Sequence, residues 1–306
     1  RLAQLERGAH EQARARDAEP RRGPLHGVPI GIKDIFDTID MPTGHGFPPY
    51  ADRKWGVDSA CVAAFRKAGM VILGKTVTTE FACPSPLQTT NPHDPKRTPG
   101  VSSSGSGAAV ADFMVPLANG TQTGGSVIGP SANCGVYGYK ASLDGLDRTG
   151  LRHCKKSIDT LGLMGRSVDD LLLARAASTG GAAGRAAPAP PRIALLRTAS
   201  WDQAEPCMQA AVEQAASLLA GAGAKVSELE LPPLYDEIER HFAVVNGWEG
   251  CQTLEAEIRD HLASFNPHNR ERVSFVDGLS EADYIESGRA LDAARDLVTI
   301  DALAHG

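Results

Sequence analysis

Between Gly27 and Lys33 the chain reads GVPIGIK, and period-2 alternation puts Val28, Ile30 and Ile32 on one side, with Gly31 and Lys33 on the other. This pattern predicts a strand with one apolar face. Residues Asp58 to Ala68, DSACVAAFRKA, predict a helix with an N-cap at its start and a stop at Gly69, and MVILGK from Met70 returns to strand. Strand, helix, strand implies a βαβ unit and a partly parallel sheet. Small residues fill GSGAAVADF, Gly105 to Phe113, which predicts a helix packed very close to its neighbours. MVPLANGT, running to Thr121, has strand character in spite of Pro116.

Ser167, with Asp170 three residues on, resembles a capping box, and VDDLLLARAA continues it as a helix. STGGAAGRAAPAPP, Ser178 to Pro191, is the clearest linker. Beyond it RIALLR reads as a strand, Ala204 to Ala222 as an amphipathic helix, KVSELEL as a strand, and Asp236 to Ala304 as mostly helical. The expected fold class is α/β, a mixed, largely parallel β-sheet covered by helices on both faces. The expected organisation is a core over residues 1–178, a linker over 179–191, and a further α/β and helical part of the same domain over 192–306.

Composition removes several function classes. With 42% hydrophobic and 22% charged residues, the 306-residue chain can bury one large core or two smaller ones. A formal net charge of −6 leaves no basic excess to neutralise phosphates, so neither a nucleic acid nor an anionic membrane is an expected partner. No apolar run approaches the roughly 18 to 20 residues of a membrane span, and no signal-peptide pattern is visible. Cys61, Cys83, Cys134, Cys154, Cys207 and Cys251 lack CxxC spacing, which argues against a zinc site or a dense disulfide framework and for reduced thiols in the cytoplasm. The chain opens on Arg1 rather than methionine, and an N-terminal piece is expected ahead of it.

Two Ser/Gly clusters stand out, PGVSSSGSGAA from Pro99 and TQTGGS from Thr121. Solvated loops are the ordinary reading of such runs. Phosphate binding would want GxxxxGK[ST] or GxGxxG spacing, which neither has. Nucleophilic catalysis is the third reading. Ser126 at the end of TGGS could expose its hydroxyl while the N–H groups of Thr123, Gly124, Gly125 and Ser126 converge as an oxyanion hole. No GxSxG elbow is present, and His26, His45 and His93 lie in Gly/Pro-rich surroundings, so the base could be a lysine instead.

GPLHGVPIGIKD, RTPGVSSSGSGAAVA, NGTQTGGSVIGPSANCGVYGYK and SIDTLGLMGRSV, in order and spacing, resemble successive motifs of the amidase signature family over roughly residues 20 to 175. The resemblance implies amide hydrolysis through an acyl-serine, with Ser126 as nucleophile, Ser102 as a bridging serine in a cis peptide, Lys33 as base and Ser103 in support. It implies no metal and no organic cofactor, a small-molecule amide as substrate, and leaves room for a homodimer. TTEFACPSPLQTT would line the acyl side, with Cys83 as a candidate wall residue. A useful base near neutral pH needs a lysine pKa of about 7 to 8 rather than 10.4. Without the motifs, Lys33 would read as an exposed lysine paired with Asp34.

Several positions depart from the family pattern: Val101 in place of a second glycine, Gln122 where aspartate is frequent, Ile128-Gly129 without an arginine, and Leu163 where proline is common. The chain also stops at Gly306, short of the family's usual C-terminal segment. The resemblance leaves three functions: a free-standing amidase, the glutaminase-type subunit of a tRNA-dependent amidotransferase, or a degenerate, non-catalytic relative.

Overall fold

The computed structural model describes residues 2–305 except 6, 7, 87, 153, 154, 182, 183, 185–189 and 277. Its central feature is a six-stranded sheet in the order β1-β3-β2-β4-β6-β5, built from β1 (Leu2–Leu5), β2 (Pro29–Lys33), β3 (Val71–Thr76), β4 (Leu117–Gln122), β5 (Tyr137–Lys140) and β6 (Thr160–Gly165). β2 pairs in parallel with both β3 and β4, while β1, β6 and β5 join through antiparallel ladders. β2, β3, β4 and β5 therefore share one direction and β1 and β6 oppose it, giving the mixed, mostly parallel sheet expected.

Alternation in β2 does what the sequence implies. Ile30 and Ile32 enter a large apolar core with Ile72, Leu117, Leu161 and Leu163 from neighbouring strands. Helices α2 (Ala60–Lys67) and α5 (Val168–Thr179) close that face with Cys61, Val62, Phe65, Leu171 and Ala174. The other face carries a smaller core of Ala109, Val110, Val115, Ala118, Val127 and Met164 under α3 (Ser104–Ala111). Two helical layers thus cover the sheet, and Lys33 faces the α3 side. α3 can lie this close because a Cβ on Gly105 would meet the backbone of Val77 at 2.3 Å.

The helix ends were partly legible. Ser167 caps α5, its hydroxyl accepting from the Asp170 N–H at 3.0 Å. At the start of α2, Ser59 occupies the N-cap position without a side-chain bond, and the Asp58 carboxylate accepts from Arg66 Nε at 2.9 Å and from the Ile39 amide at 2.9 Å. Arg66 stands in the last turn of α2, and its pair with Asp58 is charge-assisted.

Contacts divide the chain into two units, residues 1–184 with 249–274, and residues 185–248 with 275–306. Part of the helical region after residue 192 therefore returns to the unit that holds the large sheet. The second unit pairs β7 (Arg192–Leu196) in parallel with β8 (Lys225–Leu229), joined through α6 (Pro206–Gly221). Most of the expected linker, 182, 183 and 185–189, lies outside the described residues. No described helix is long and apolar enough to cross a membrane.

Candidate active site

Because β2, β3 and β4 run parallel, their C-terminal ends emerge along one edge, where the following loops can gather side chains. Lys33 is the last residue of β2 and is 0% exposed. Its Nζ donates to Ser102 Oγ and to Thr121 Oγ1, each at 2.8 Å, and its backbone N–H donates to Asn119 Oδ1 at 2.8 Å. Asn119 and Thr121 stand two residues apart on β4, so one face of that strand holds both ends of the lysine.

Asp34 does not pair with Lys33. Its carboxylate turns away to Lys75 Nζ at 3.2 Å and accepts from the Gly44 amide. Lys75 itself also donates to Phe36 O and Thr43 Oγ1 at 2.8 and 2.9 Å. Burial pushes the Asp34 carboxyl up and the Lys75 ammonium down, each resisted by the other's charge.

Ser102 precedes α3 and is buried. The expected cis peptide there is not found: the described residues contain no cis bond. A non-proline cis bond costs about 3 to 4 kcal/mol, and here the turn is taken by Gly100 at φ +109°, where a Cβ would also strike Pro130 at 2.6 Å. Val101 needs no glycine-only conformation, and its side chain is 36% exposed. Ser103 Oγ donates to the Thr121 carbonyl at 3.2 Å and accepts from the Thr121 N–H at 3.3 Å, fixing the start of α3 to β4.

Ser126 sits on the turn between β4 and the short helix α4 (Ile128–Asn133) and is 8% exposed. The expected unbroken chain from Lys33 through Ser102 to Ser126 stops at Ser102, since Ser126 Oγ makes no hydrogen bond among the described residues. The backbone amides of Gly124, Gly125 and Ser126 likewise donate to no described protein group. The loop is nevertheless held. Gln122 Nε2 donates to Gly124 O at 2.9 Å, and its Oε1 accepts from the amides of Val127 and Ile128, both at 2.9 Å. The Thr123 hydroxyl donates to Asp159, whose other oxygen accepts from the Lys155 amide at 2.9 Å.

Cys83 follows a short 3₁₀ turn, Glu80–Ala82, and is half-buried against a cluster of Phe47, Phe81, Leu254 and Phe265. Its sulfur accepts from Lys155 Nζ at 3.3 Å. Thr121, Asn119 and Asp159 were not singled out from the sequence. For the first two the signal was present, as polar residues at alternate positions of a strand that proves buried along its length.

Residues 3–275 match the Amidase family. A subunit of the glutamyl-tRNA(Gln) amidotransferase of Acidothermus cellulolyticus is 39% identical over 259 residues, 74% of this chain and 50% of that protein. The 2-amino-5-chloromuconic acid deaminase of Comamonas testosteroni is 31% identical over 305 residues, 92% of this chain and 65% of that one. Among solved structures, an amidase superposes with a TM-score of 0.88 at 28% identity, covering 99% of this chain and 71% of that chain. A native peptide amidase from Stenotrophomonas maltophilia gives 0.79 at 29% identity, covering 94% and 69%. The chain thus spans between half and two thirds of the length of these curated relatives.

Proposed function

The chain belongs to the Amidase family, and from that premise we propose that it hydrolyses the C–N bond of a small carboxamide through an acyl-serine on Ser126. The observation that carries this reading is the buried Lys33 Nζ at 2.8 Å from Ser102 Oγ, beside a loop whose Gly124, Gly125 and Ser126 amides have no partner among the described residues.

Neutral Lys33 draws the Ser102 proton as Ser102 draws that of Ser126, and Ser126 Oγ adds to the amide carbon. The carbonyl oxygen then gains charge, which the amides of Thr123, Gly124, Gly125 and Ser126 can receive, each donor contributing on the order of 10² to 10³ in rate. Collapse breaks the C–N bond as the relay returns a proton to the departing amine. Water then adds to the ester by the same relay and releases the acid. Thr121 fixes the lysine head, Ser103 fixes Ser102 through the backbone, and substrate binding closes the remaining gap between Ser102 and Ser126, as catalytic contacts often tighten only in the complex. Cys83 serves as an acyl-side wall. The reading calls on no metal or organic cofactor and on no nucleic acid or membrane, and it allows a homodimer. A cytoplasmic setting agrees with the free thiols of Cys61, Cys83, Cys134, Cys207 and Cys251.

A serine-directed fluorophosphonate followed by peptide mapping tests this. Label is expected on Ser126, absent in Ser126→Ala and strongly slowed in Lys33→Ala and Ser102→Ala, whereas Asp34→Asn, whose partner is Lys75, should label more readily than Lys33→Ala. Folded protein that takes no label would favour the non-catalytic reading. The 39% identity to an amidotransferase component supports a second reading, the glutaminase-type subunit, for which stable co-purification with other subunits is the expected sign.

A further inference from the structure

Outside the proposed relay, one nucleophilic pair stands out. Lys155 is buried, and its Nζ lies 3.3 Å from the sulfur of half-buried Cys83. The two residues come from distant parts of the chain, Cys83 after β3 and Lys155 on the segment leading to β6. Of the other described thiols, Cys251 is half-buried like Cys83, so it is the lysine amine at the sulfur that sets Cys83 apart. Cys61 and Cys134 are buried, with burial pushing them up to about 12 and about 11, and Cys207 is exposed. Neither Cys61 nor Cys134 is open to an oxidant as a half-buried thiol is.

We propose that Cys83 and Lys155 form an oxidative modification site, in which hydrogen peroxide joins Sγ to Nζ as a reversible sulfenamide cross-link. In the first step the Cys83 thiolate attacks one peroxide oxygen. The S–O bond forms, the O–O bond breaks, and the leaving hydroxide takes up the proton released to solvent when the thiol ionised, becoming water. Sulfur is oxidised by two electrons to the sulfenic acid and peroxide is reduced. In the second step the lone pair of neutral Lys155 Nζ attacks that sulfur. The N–S bond forms, the S–O bond breaks, and the departing hydroxide takes a proton from nitrogen to give the second water. The protein loses two hydrogens overall. A thiol reverses the link by attacking sulfur and releasing the amine, and a second thiol then frees Cys83 while the two reductant molecules end as a disulfide.

Proximity favours the second step over further oxidation, because an amine held beside the sulfur acts at high effective concentration. The link would also tie the segment after β3 to the one whose Asp159 receives the Thr123 hydroxyl and the Lys155 amide.

The test uses the whole chain, treated with hydrogen peroxide and digested with and without dithiothreitol, and its mass readout does not depend on any catalytic reading. The expected result is a Cys83 peptide joined to a Lys155 peptide, two hydrogens lighter than their sum and separated by dithiothreitol. Dimedone, which traps sulfenic acids, should label Cys83 poorly in the parent and strongly in Lys155→Arg, which places a non-nucleophilic guanidinium at the sulfur in place of the amine. Sulfenic or sulfinic acid accumulating on parent Cys83 without a cross-link would overturn the proposal. So would a disulfide from Cys83 to another cysteine, or an unmodified Cys83 in protein whose other thiols have reacted.

Discussion

Gln122 is the residue on which the departures from the family pattern turn. One side-chain amide supplies both a donor to Gly124 O and an acceptor for two successive amides, Val127 and Ile128. The loop carrying Ser126 therefore has its own brace. At Gly129 an added Cβ meets nothing within 4 Å, so a side chain there would extend into open space. Gln122→Ala would leave two backbone N–H groups without their acceptor, a loss of about 1 to 3 kcal/mol. An error of ~1 Å in the loop can reduce turnover by about 10². Turnover of a simple aryl amide and Ser126 labelling should both fall in Gln122→Ala and stay at the parent level in Gly129→Arg and Val101→Gly. A gain in either of the last two would mean that the loop is loose in the parent.

At the scale of elements, the loops after β2 and β3 lock together: the His45 amide donates to Asp34 O at 3.0 Å and the Phe81 amide donates to His45 O at 2.8 Å. His45 has φ 54°, is buried, stacks on Phe81 at 6.0 Å, and its Nε2 has no partner among the described residues. Burial, aided by Arg152, Lys75 and Arg53, lowers its pKa from 6.5 to about 3. A depressed histidine is neutral in the fold while the unfolded chain takes up a proton below pH 6.5. Its contribution is therefore complete above pH 6.5 and is lost as pH falls toward 3, by at most roughly 5 kcal/mol. Asparagine tolerates the left-handed backbone and does not titrate. Urea midpoints should decline more steeply between pH 6.5 and 4 in the parent than in His45→Asn. Parallel declines would show that His45 is not the group being protonated.

For the molecule as a whole, burial is unevenly shared. β6 lies between β4 and β5, and Leu163, 0% exposed, pairs with Asn119 on one side and Tyr139 on the other. A proline at this position would remove a ladder hydrogen bond in the middle of the sheet. On α6, by contrast, Leu218 is 66% exposed. Leu163→Ala is expected to cost about 2 to 5 kcal/mol, and Leu218→Ala to fall within about 0.5 kcal/mol, both read from denaturant midpoints. Equal shifts would mean that the stability of the chain does not rest on the large sheet.

Much of the frame was written in local pattern. β2, α2, β3, α3, β4 and α5 each carry a period or a cap that the neighbouring residues suffice to define, and the order strand, helix, strand made parallel pairing the expected outcome. β6 escaped because it is buried along its whole length, so TLGLMG shows no alternation. α4, reading IGPSAN, has little helix propensity and starts where Gln122 accepts the Val127 and Ile128 amides. Alternation also placed Lys33 away from the apolar face, which is a property of one strand alone. What it could not give was the partner. Successive residues at a strand end point to opposite sides, so Asp34 meets Lys75 while Lys33 meets Ser102 and Thr121, and only the pairing of β2 with both β3 and β4 brings those groups within reach. Periodicity fixes the side on which a residue lies because it follows from backbone geometry; the atom it touches depends on which strands lie beside it, and that is decided by burial summed over the whole sheet.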